Sequence, residues 1–412
     1  MSPRRRPADA PADQTTVRHA NLGVVLRHVA QKGPCSRARI AADTGLTRGT
    51  VSSLVADLIE LDLLHETGDP DLPRGVGRPA VPLQLGSVVV GVGLEVNVDY
   101  LAVAVEGLAG DVQVERRVYG DNRGSRPEEV LDRLAGEARE ALHVVEERGL
   151  RVAGVCVAVP GLVEGNSGSL VVAPNLGWSD VPVAAELRER LGLPVQAENE
   201  ANLAALAEHW SGAARGFDDF ICIFGEIGVG GGIVLDGRLY RGAHGFGGEF
   251  GHVVVDLDGS PCACGGRGCV ETLVGQEAIA RAAGVSTGAG RTSSLTEEIV
   301  GRAELGDERA LGALRDAGRW IGTALASAFN LFDLQAVVLG GCFGPMSPWL
   351  AGEVAETLRS RSIAARSSSF DVVAAAFGEG AAVRGAAALT LRRVLDAPWT
   401  VPSGSVVAEV AV

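Results

Sequence analysis

A chain of 412 residues exceeds what one hydrophobic core ordinarily serves, so two or three domains are expected. Apolar content of 46%, 56 glycines and only 4% aromatic residues exclude a disordered or fibrous protein and fit a glycine-loop-rich α/β one; no apolar run reaches the roughly 18 residues of a membrane span. The net charge of -14 argues against a nucleic-acid binder until it is divided: residues 1–86 hold 11 Lys/Arg against 9 Asp/Glu and the remainder 26 against 42, so only the head suits phosphate.

Residues 1–15 read as a polar tail, because MSPRRRPADAPADQ places no apolar core behind its arginines and is no secretion signal. A cytoplasmic protein is therefore expected. Residues 16–88 read as a winged helix-turn-helix. Val17, Leu22, Val25, Leu26 and Val29 recur at helical spacing over 17–31. Ser36 caps a second helix that Gly45 ends, and Thr47 caps a third with Val51, Leu54, Val55 and Leu58 on its inner side. In such a pair the second helix enters the major groove, which brings Arg48, Thr50, Ser52 and Ser53 near base edges. The following HETGDPDLPRGVGRPAVPLQL reads as a wing with Arg74 and Arg78 at its tip, suited to the negative potential of a narrow minor groove. A three-helix protein-binding module with solvated arginines is the alternative, but helices, turn, caps and wing arriving in order favour DNA.

Residues 88–118 read as three adjacent strands, followed by a helix from about 127 to 148. The strand RVAGVCVAVPGLV, the helix VPVAAELRERLG, the strand PVQAEN and the helix EANLAALAEHW come next. From 219 the plan repeats: FICIFGEIGVGGGIVLDGRLYRG, helices near 294–304 and 307–330, the strands LQAVVLGG and FDVVAAAF, and a last helix. Two α/β lobes of similar plan follow, 89–200 (completed by the helix 380–395) and 201–379, with a cleft for a small ligand between them. Residues 396–412 read as a tail without a role.

Within the second lobe, GGEFGHVVVDLDGSPCACGGRGCVE places His252, Cys262, Cys264 and Cys269 at short spacing. Three thiolates and an imidazole complete a closed tetrahedral zinc site, with no position left for a reactive water. A disulfide plus a stray cysteine is the alternative, and a chain lacking a secretion signal disfavours it. Glu249 and Glu271 bracket the cluster and are not needed as ligands. Cys35, Cys156, Cys222 and Cys342 lie on apolar stretches and read as buried fillers.

The succession VAVPGLV, APNLGW, ENEAN, GVGGGIV, GGEFGH, CACGGRGC and VVLGG resembles the ROK family of repressors, open reading frames and kinases over residues 88–395. The head resembles its regulator branch. The resemblance implies an actin-like, sugar-kinase-like two-lobed body behind the winged helix-turn-helix. It also implies structural zinc on His252, Cys262, Cys264 and Cys269, and sugar-hydroxyl contacts from Asn199, Glu249, His252 and Glu271, with Asn175 and Glu200 beside them. Carboxylates and amides suit vicinal hydroxyls.

Three departures bear on phosphoryl transfer. Kinases of the family carry aspartate as the base after the asparagine of the ENDAN-like segment, and this chain has Glu200, where roughly 1 Å of displacement costs about a hundredfold in rate. The first phosphate loop reads Gly93-Leu94-Glu95-Val96-Asn97, without the family's aspartate and with a glutamate for a glycine. The second begins Gly225-Glu226-Ile227-Gly228, and a carboxylate about 4 Å from triphosphate costs on the order of 4 kcal/mol per charge pair. The expectation is a non-catalytic, sugar-responsive transcriptional regulator, a repressor of carbohydrate genes, acting as a dimer or tetramer on an inverted-repeat DNA operator. An ATP-dependent sugar kinase with a DNA-binding head is its rival, and a regulator that answers to a protein partner alone is a third reading.

Overall fold

The computed structural model describes residues 14–67, 81–165, 167–287 and 292–401. The head comprises α1 (Gln14–Lys32), β1 (Cys35–Ser36), α2 (Arg37–Thr44), α3 (Arg48–Glu60), β2 (Leu64–Glu66) and β3 (Pro82–Leu85). The Ser36 side chain accepts from the amide of Arg39, Thr47 accepts from that of Thr50, and Gly45 closes α2 at φ 74°. Both capping expectations therefore hold. The helix α1 starts at Gln14, inside the stretch read as tail, and β1 makes an unexpected third strand in the order β1-β3-β2. Arg74 and Arg78 lie outside the described residues.

The body begins with β4 (Val89–Val96), β5 (Tyr100–Gly107), β6 (Val112–Tyr119), α4 (Pro127–Glu147) and β7 (Arg151–Val159). A small sheet of β8 (Leu162–Glu164), β9 (Ser169–Ala173) and β10 (Trp178–Val181) precedes α5 (Val183–Leu191), β11 (Val195–Asn199) and α6 (Glu200–Ser211). The second half holds β12 (Phe220–Gly225), β13 (Val229–Leu235), β14 (Arg238–Leu239), α7 (Glu271–Val274), α8 (Gln276–Ala282), α9 (Thr292–Glu304) and α10 (Glu308–Phe332). It ends with β15 (Ala336–Gly341), α11 (Phe343–Arg361), α12 (Ile363–Ser367), β16 (Asp371–Ala374) and α13 (Ala381–Asp396).

The large sheets run β11-β7-β4-β5-β6 and β16-β15-β12-β13-β14, the same order with the same pairing senses. Each keeps a parallel half covered by helices and an antiparallel half that turns on short loops. The helix α13 packs on the first sheet, α6 packs on the second, and the two lie against each other. Close approach is built into the sequence: a Cβ on Gly93 would meet the carbonyl oxygen of Val383 in α13 at 2.0 Å. No side chain fits at 93 while that helix is in place.

The head shares its core with the body, since Leu22, Val25 and Leu63 cluster with Val89, Leu391, Val394 and Val401. At this seam His19 stacks on Trp399 with centroids 4.2 Å apart, and Arg27 pairs with Asp396 at 2.9 Å. The stretch after 396 thus begins as part of the seam. Cys35, Cys156, Cys222 and Cys342 are buried, and burial raises their thiols, as fillers require.

Candidate functional site

The chain from Gly247 to Glu271 follows β14 and folds back on itself through a tight loop that leads into α7. A 3-10 turn, Phe250–His252, aims the histidine, and bridges Val254↔Cys269 and Pro261↔Arg267 fold the segment back on itself. Gly268 makes the return possible: its φ is +71°, and a Cβ there would lie 1.6 Å from the carbonyl oxygen of Asp256.

Among the described residues, His252, Cys262, Cys264 and Cys269 form the group able to hold a metal ion, each offering one ligand atom with all four atoms within 4.8 Å of one another. Nδ1 of His252 is 3.7 Å from Sγ of Cys262, and Sγ of Cys264 is 3.8 Å from Sγ of Cys269. A tetrahedron with metal–sulfur bonds of about 2.3 Å has edges of about 3.8 Å, so these separations fit a metal at the centre. Cys262 and Cys269 are buried and Cys264 is exposed. The amide of Gly266 donates to Sγ of Cys264 and draws that thiol below its ordinary value, while burial pushes Cys262 up to about 12 and raises Cys269.

One cleft of about 810 Å³ is lined by Asn175, Asn199, Glu200, Glu249, His252 and Glu271, so the six residues expected from sequence come together. The elements that deliver them differ. Asn175 sits on the turn after β9, Asn199 and Glu200 join β11 to α6, and Glu249, His252 and Glu271 belong to the metal loop. Glu271 is anchored, its Oε2 accepting the amide of Val229 at 2.8 Å and its Oε1 lying 3.7 Å from Sγ of Cys262. Glu249 approaches Nε2 of His252 at 4.0 Å, leaving Nδ1 to the thiol side. Burial in the cleft walls raises the Glu249 carboxyl.

Asn199 departs from a simple ligand role. Its Oδ1 accepts the amides of Ala201 and Asn202 as the cap of α6, and its Nδ2 donates to the Gly161 carbonyl at 3.1 Å and to Glu200 at 2.8 Å. It shapes the cleft with its hydrogen-bonding groups already engaged. Burial, with the charges of Glu249, Glu226 and Glu95 nearby, holds Glu200 well above the usual carboxylate range.

Of the two glutamates expected on phosphate loops, Glu226 stays on a loop lining the cleft, whereas Glu95 does not. Glu95 lies within β4, fully buried, and accepts the Tyr100 hydroxyl at 2.9 Å. Glu226 is 3.2 Å from the same hydroxyl and accepts from Nδ2 of Asn97. Arg117 lies over the Tyr100 ring and pairs with Glu379 at 2.6 Å. Burial raises Glu95 to about 7, and burial with the Glu95 charge raises Glu226 to about 8. This network escaped the sequence reading; its signal was a lone carboxylate inside an apolar strand. Beyond Glu226 a second cavity of about 690 Å³ is lined by Asp99, Tyr100, Glu297 and Glu379 among others, and no lysine or arginine lines either cavity among the described residues.

On the head, Arg48, Ser52 and Ser53 are exposed and Thr50 is half-buried. Two of the four expected DNA contacts have structural duties: Thr50 Oγ1 is 2.9 Å from Thr47 Oγ1, and Ser53 Oγ accepts from Arg18, which also pairs with Asp57.

Residues 91–393 match the ROK family, and residues 21–68 match the IclR helix-turn-helix domain. The xylose repressor of Bacillus subtilis (strain 168) is 29% identical over 385 residues, covering 93% of this chain and 98% of that protein. The crystal structure of a ROK family transcriptional regulator, a homolog of the E. coli MLC protein, superposes with a TM-score of 0.78 at 28% identity over 93% of this chain and 99% of that one. A ROK family glucokinase from Streptomyces griseus, in complex with glucose and AMPPNP, superposes with a TM-score of 0.63 at 29% identity, covering 73% of this chain and 98% of that one. No helix among the described residues is long and apolar enough to cross a membrane.

Proposed function

The chain belongs to the ROK family, and from that premise we propose that it is a sugar-responsive, DNA-binding transcriptional repressor whose kinase-like body reads its effector without phosphorylating it. The observation that carries this reading is the division between the two cavities. One retains a metal loop and a ring of amide and carboxylate side chains, while the positions of the kinases' phosphate loops hold Glu95 within a strand and Glu226 on the cleft floor, and no lysine or arginine lines either cavity among the described residues. Repressors matching over nearly their whole length, and a head matching a helix-turn-helix domain, support the DNA-binding half.

His252, Cys262, Cys264 and Cys269 would hold the metal, and we assign it as zinc in a structural role. A closed N/S₃ donor set suits zinc, which when bound fixes the fold of the loop and supplies no reactive water. The loop in turn presents Glu249 and Glu271 to the cleft. His252 contributes Nδ1 to the metal side and turns Nε2 toward Glu249.

At the position of the kinases' base this chain has Glu200, one methylene longer than aspartate, which displaces the carboxylate from where a sugar hydroxyl proton would be taken. Sugar binding would shift operator affinity by favouring one arrangement of paired heads, which requires a dimer or tetramer and an inverted-repeat operator. The seam of His19, Arg27, Trp399 and Asp396 joins the body's last helix to the head and is the route for that shift.

The test is selection of bound genomic fragments by the full chain, with and without D-xylose or D-glucose, beside an assay for ADP release with the same sugars. Fragments released by one sugar without turnover support the reading; sustained sugar-dependent ADP release overturns the non-kinase half of it.

A further inference from the structure

Glu226 lines both cavities, and its loop forms the floor of the effector cleft: Ile227, Gly228 and Val229 line that cleft, and the Glu226 amide donates to the Gly228 carbonyl at 2.9 Å. Its side chain reaches the opposite lobe. Asn97, between β4 and β5, donates to it, and Tyr100 of β5 stands 3.2 Å away. Glu271 grips the far end of the same loop through the Val229 amide. We infer that Glu226 is a positioning residue for the effector, clamping the floor of the cleft to the first lobe through Asn97 and Tyr100, with Glu95 behind them, and that a proton held between the two glutamates decides whether the clamp is closed. This rests on the effector-binding reading above.

The hydrogen-bond geometry favours the proton. Tyr100 has one hydroxyl hydrogen for three acceptors, and Glu95 at 2.9 Å is nearer than Glu226 at 3.2 Å or the Glu379 carbonyl at 3.4 Å. The contact to Glu226 at 3.2 Å is then a bond only if a carboxyl hydrogen is present; otherwise oxygen lone pairs oppose each other. The groups facing Glu226 are Glu95 on β4, Tyr100 on β5, Glu379 before α13, Glu200 on α6 and the Cys342 thiol before α11. The cation Arg117 of β6 acts on Tyr100 and Glu95, and Glu379 already engages it. Ionising both glutamates therefore sets two like charges against each other, with an already paired cation on the Glu95 side alone, and burial raises both above the usual carboxylate range.

The experiment uses the full-length protein and its E226Q and Y100F variants at about pH 6 and about pH 8.5. D-xylose and D-glucose affinities are measured by titration calorimetry, and amide hydrogen exchange of residues 225–231 is measured without sugar, corrected for intrinsic rates. In the wild type, affinity for the sugar that binds should fall at least about tenfold at the higher pH and protection of the loop should fall with it. E226Q, whose amide supplies hydrogens at every pH, should keep both. Y100F should be weak at both pH values. A wild-type pH profile retained in E226Q overturns the proposal. Should E226Q fail to fold, an unchanged exchange profile in Y100F overturns it instead, and a flattened one supports it. If neither sugar binds the wild type, the effector reading is what fails, and exchange of the loop still decides the clamp.

Discussion

Oε2 of Glu271 lies 2.8 Å from the amide nitrogen of Val229, so the last residue of the metal loop holds the first residue of the glycine strand that floors the cleft. Metal loop and cleft floor are thereby one mechanical unit. Glu271→Ala should cost about 1–2 kcal/mol of stability, the value of a charge-assisted bond at a partly exposed site. Glu271→Gln, which still accepts the Val229 amide, should keep most of that stability. On the proposed contact of Glu271 with sugar hydroxyls, both should weaken sugar binding at least about tenfold, because both remove its charge. Thermal melts and calorimetry with D-xylose separate the two effects; equal stability loss in both variants would show that the Val229 contact contributes nothing.

Metal content is checked directly. The native protein should carry one zinc per chain by elemental analysis, and Cys262→Ser should lose it. Glu249 and Glu271 depend on that loop for position, so chelation should abolish the sugar-induced rise in melting temperature while the head, whose core lies elsewhere, keeps its helices. Persistence of the sugar effect in metal-free protein would separate the metal from the cleft.

Gly93 stands where the family's kinases carry aspartate, and the fold explains the glycine. A Cβ there meets the Val383 carbonyl at 2.0 Å and the Ala387 amide at 2.8 Å, both backbone atoms of α13. Gly93→Asp should therefore destabilise by about 3 kcal/mol or more, by overpacking and by burying a charge, and should restore no ADP release. A stable variant with sugar-dependent turnover would show that α13 yields and that the kinase chemistry is recoverable.

The glutamate pair also sets the pH dependence of stability. Glu95 and Glu226 rise in the folded chain to about 7 and about 8 from the ordinary glutamate value of 4.5. Groups raised in this way favour the folded state fully below pH 4.5 and lose that contribution as pH climbs through their folded values. The melting temperature should fall between about pH 5 and about pH 8.5, and the fall should be smaller in Glu226→Gln by about 2 °C or more. Identical slopes for the two proteins would place the titration elsewhere.

What the sequence disclosed follows from how local each signal is. The caps Ser36 and Thr47, the αL glycine at 45 and the His252/Cys262/Cys264/Cys269 spacing act within a few residues, and all were legible. Helix α11 went unread because Pro348 stands inside it, along with Gly344 and Pro345 near its start, so its local chemistry spells a loop while its buried Phe343, Met346, Leu350, Val354 and Leu358 hold it helical. The kinase motif puts Glu95 on a loop; only the hydroxyl of Tyr100, on the neighbouring strand, explains a carboxylate in an apolar strand. Asn199 shows the reverse, a residue whose position was clear and whose amide proved to be engaged by the cap of α6 and by Gly161.

The head supplies the last prediction, and the contacts within it decide which substitution is informative. Ser53 is held by Arg18 of α1, so Ser53→Ala would loosen the packing of α1 on α3 as well as any contact with DNA, and its effect would be ambiguous. Thr50 is tied to the Thr47 cap and carries the same ambiguity. Arg48 is exposed in the first turn of α3, at the end expected to enter the major groove, and Arg48→Ala leaves the cap and the core untouched. If it contacts phosphate, the slope of log affinity against log salt should become shallower by about 1, with weakening shared by all sequences; if it reads a base, the loss should be about 1–3 kcal/mol at one operator position with the slope unchanged. Retention of operator DNA across a salt series distinguishes the two, and unchanged retention at every salt concentration would remove α3 from the interface.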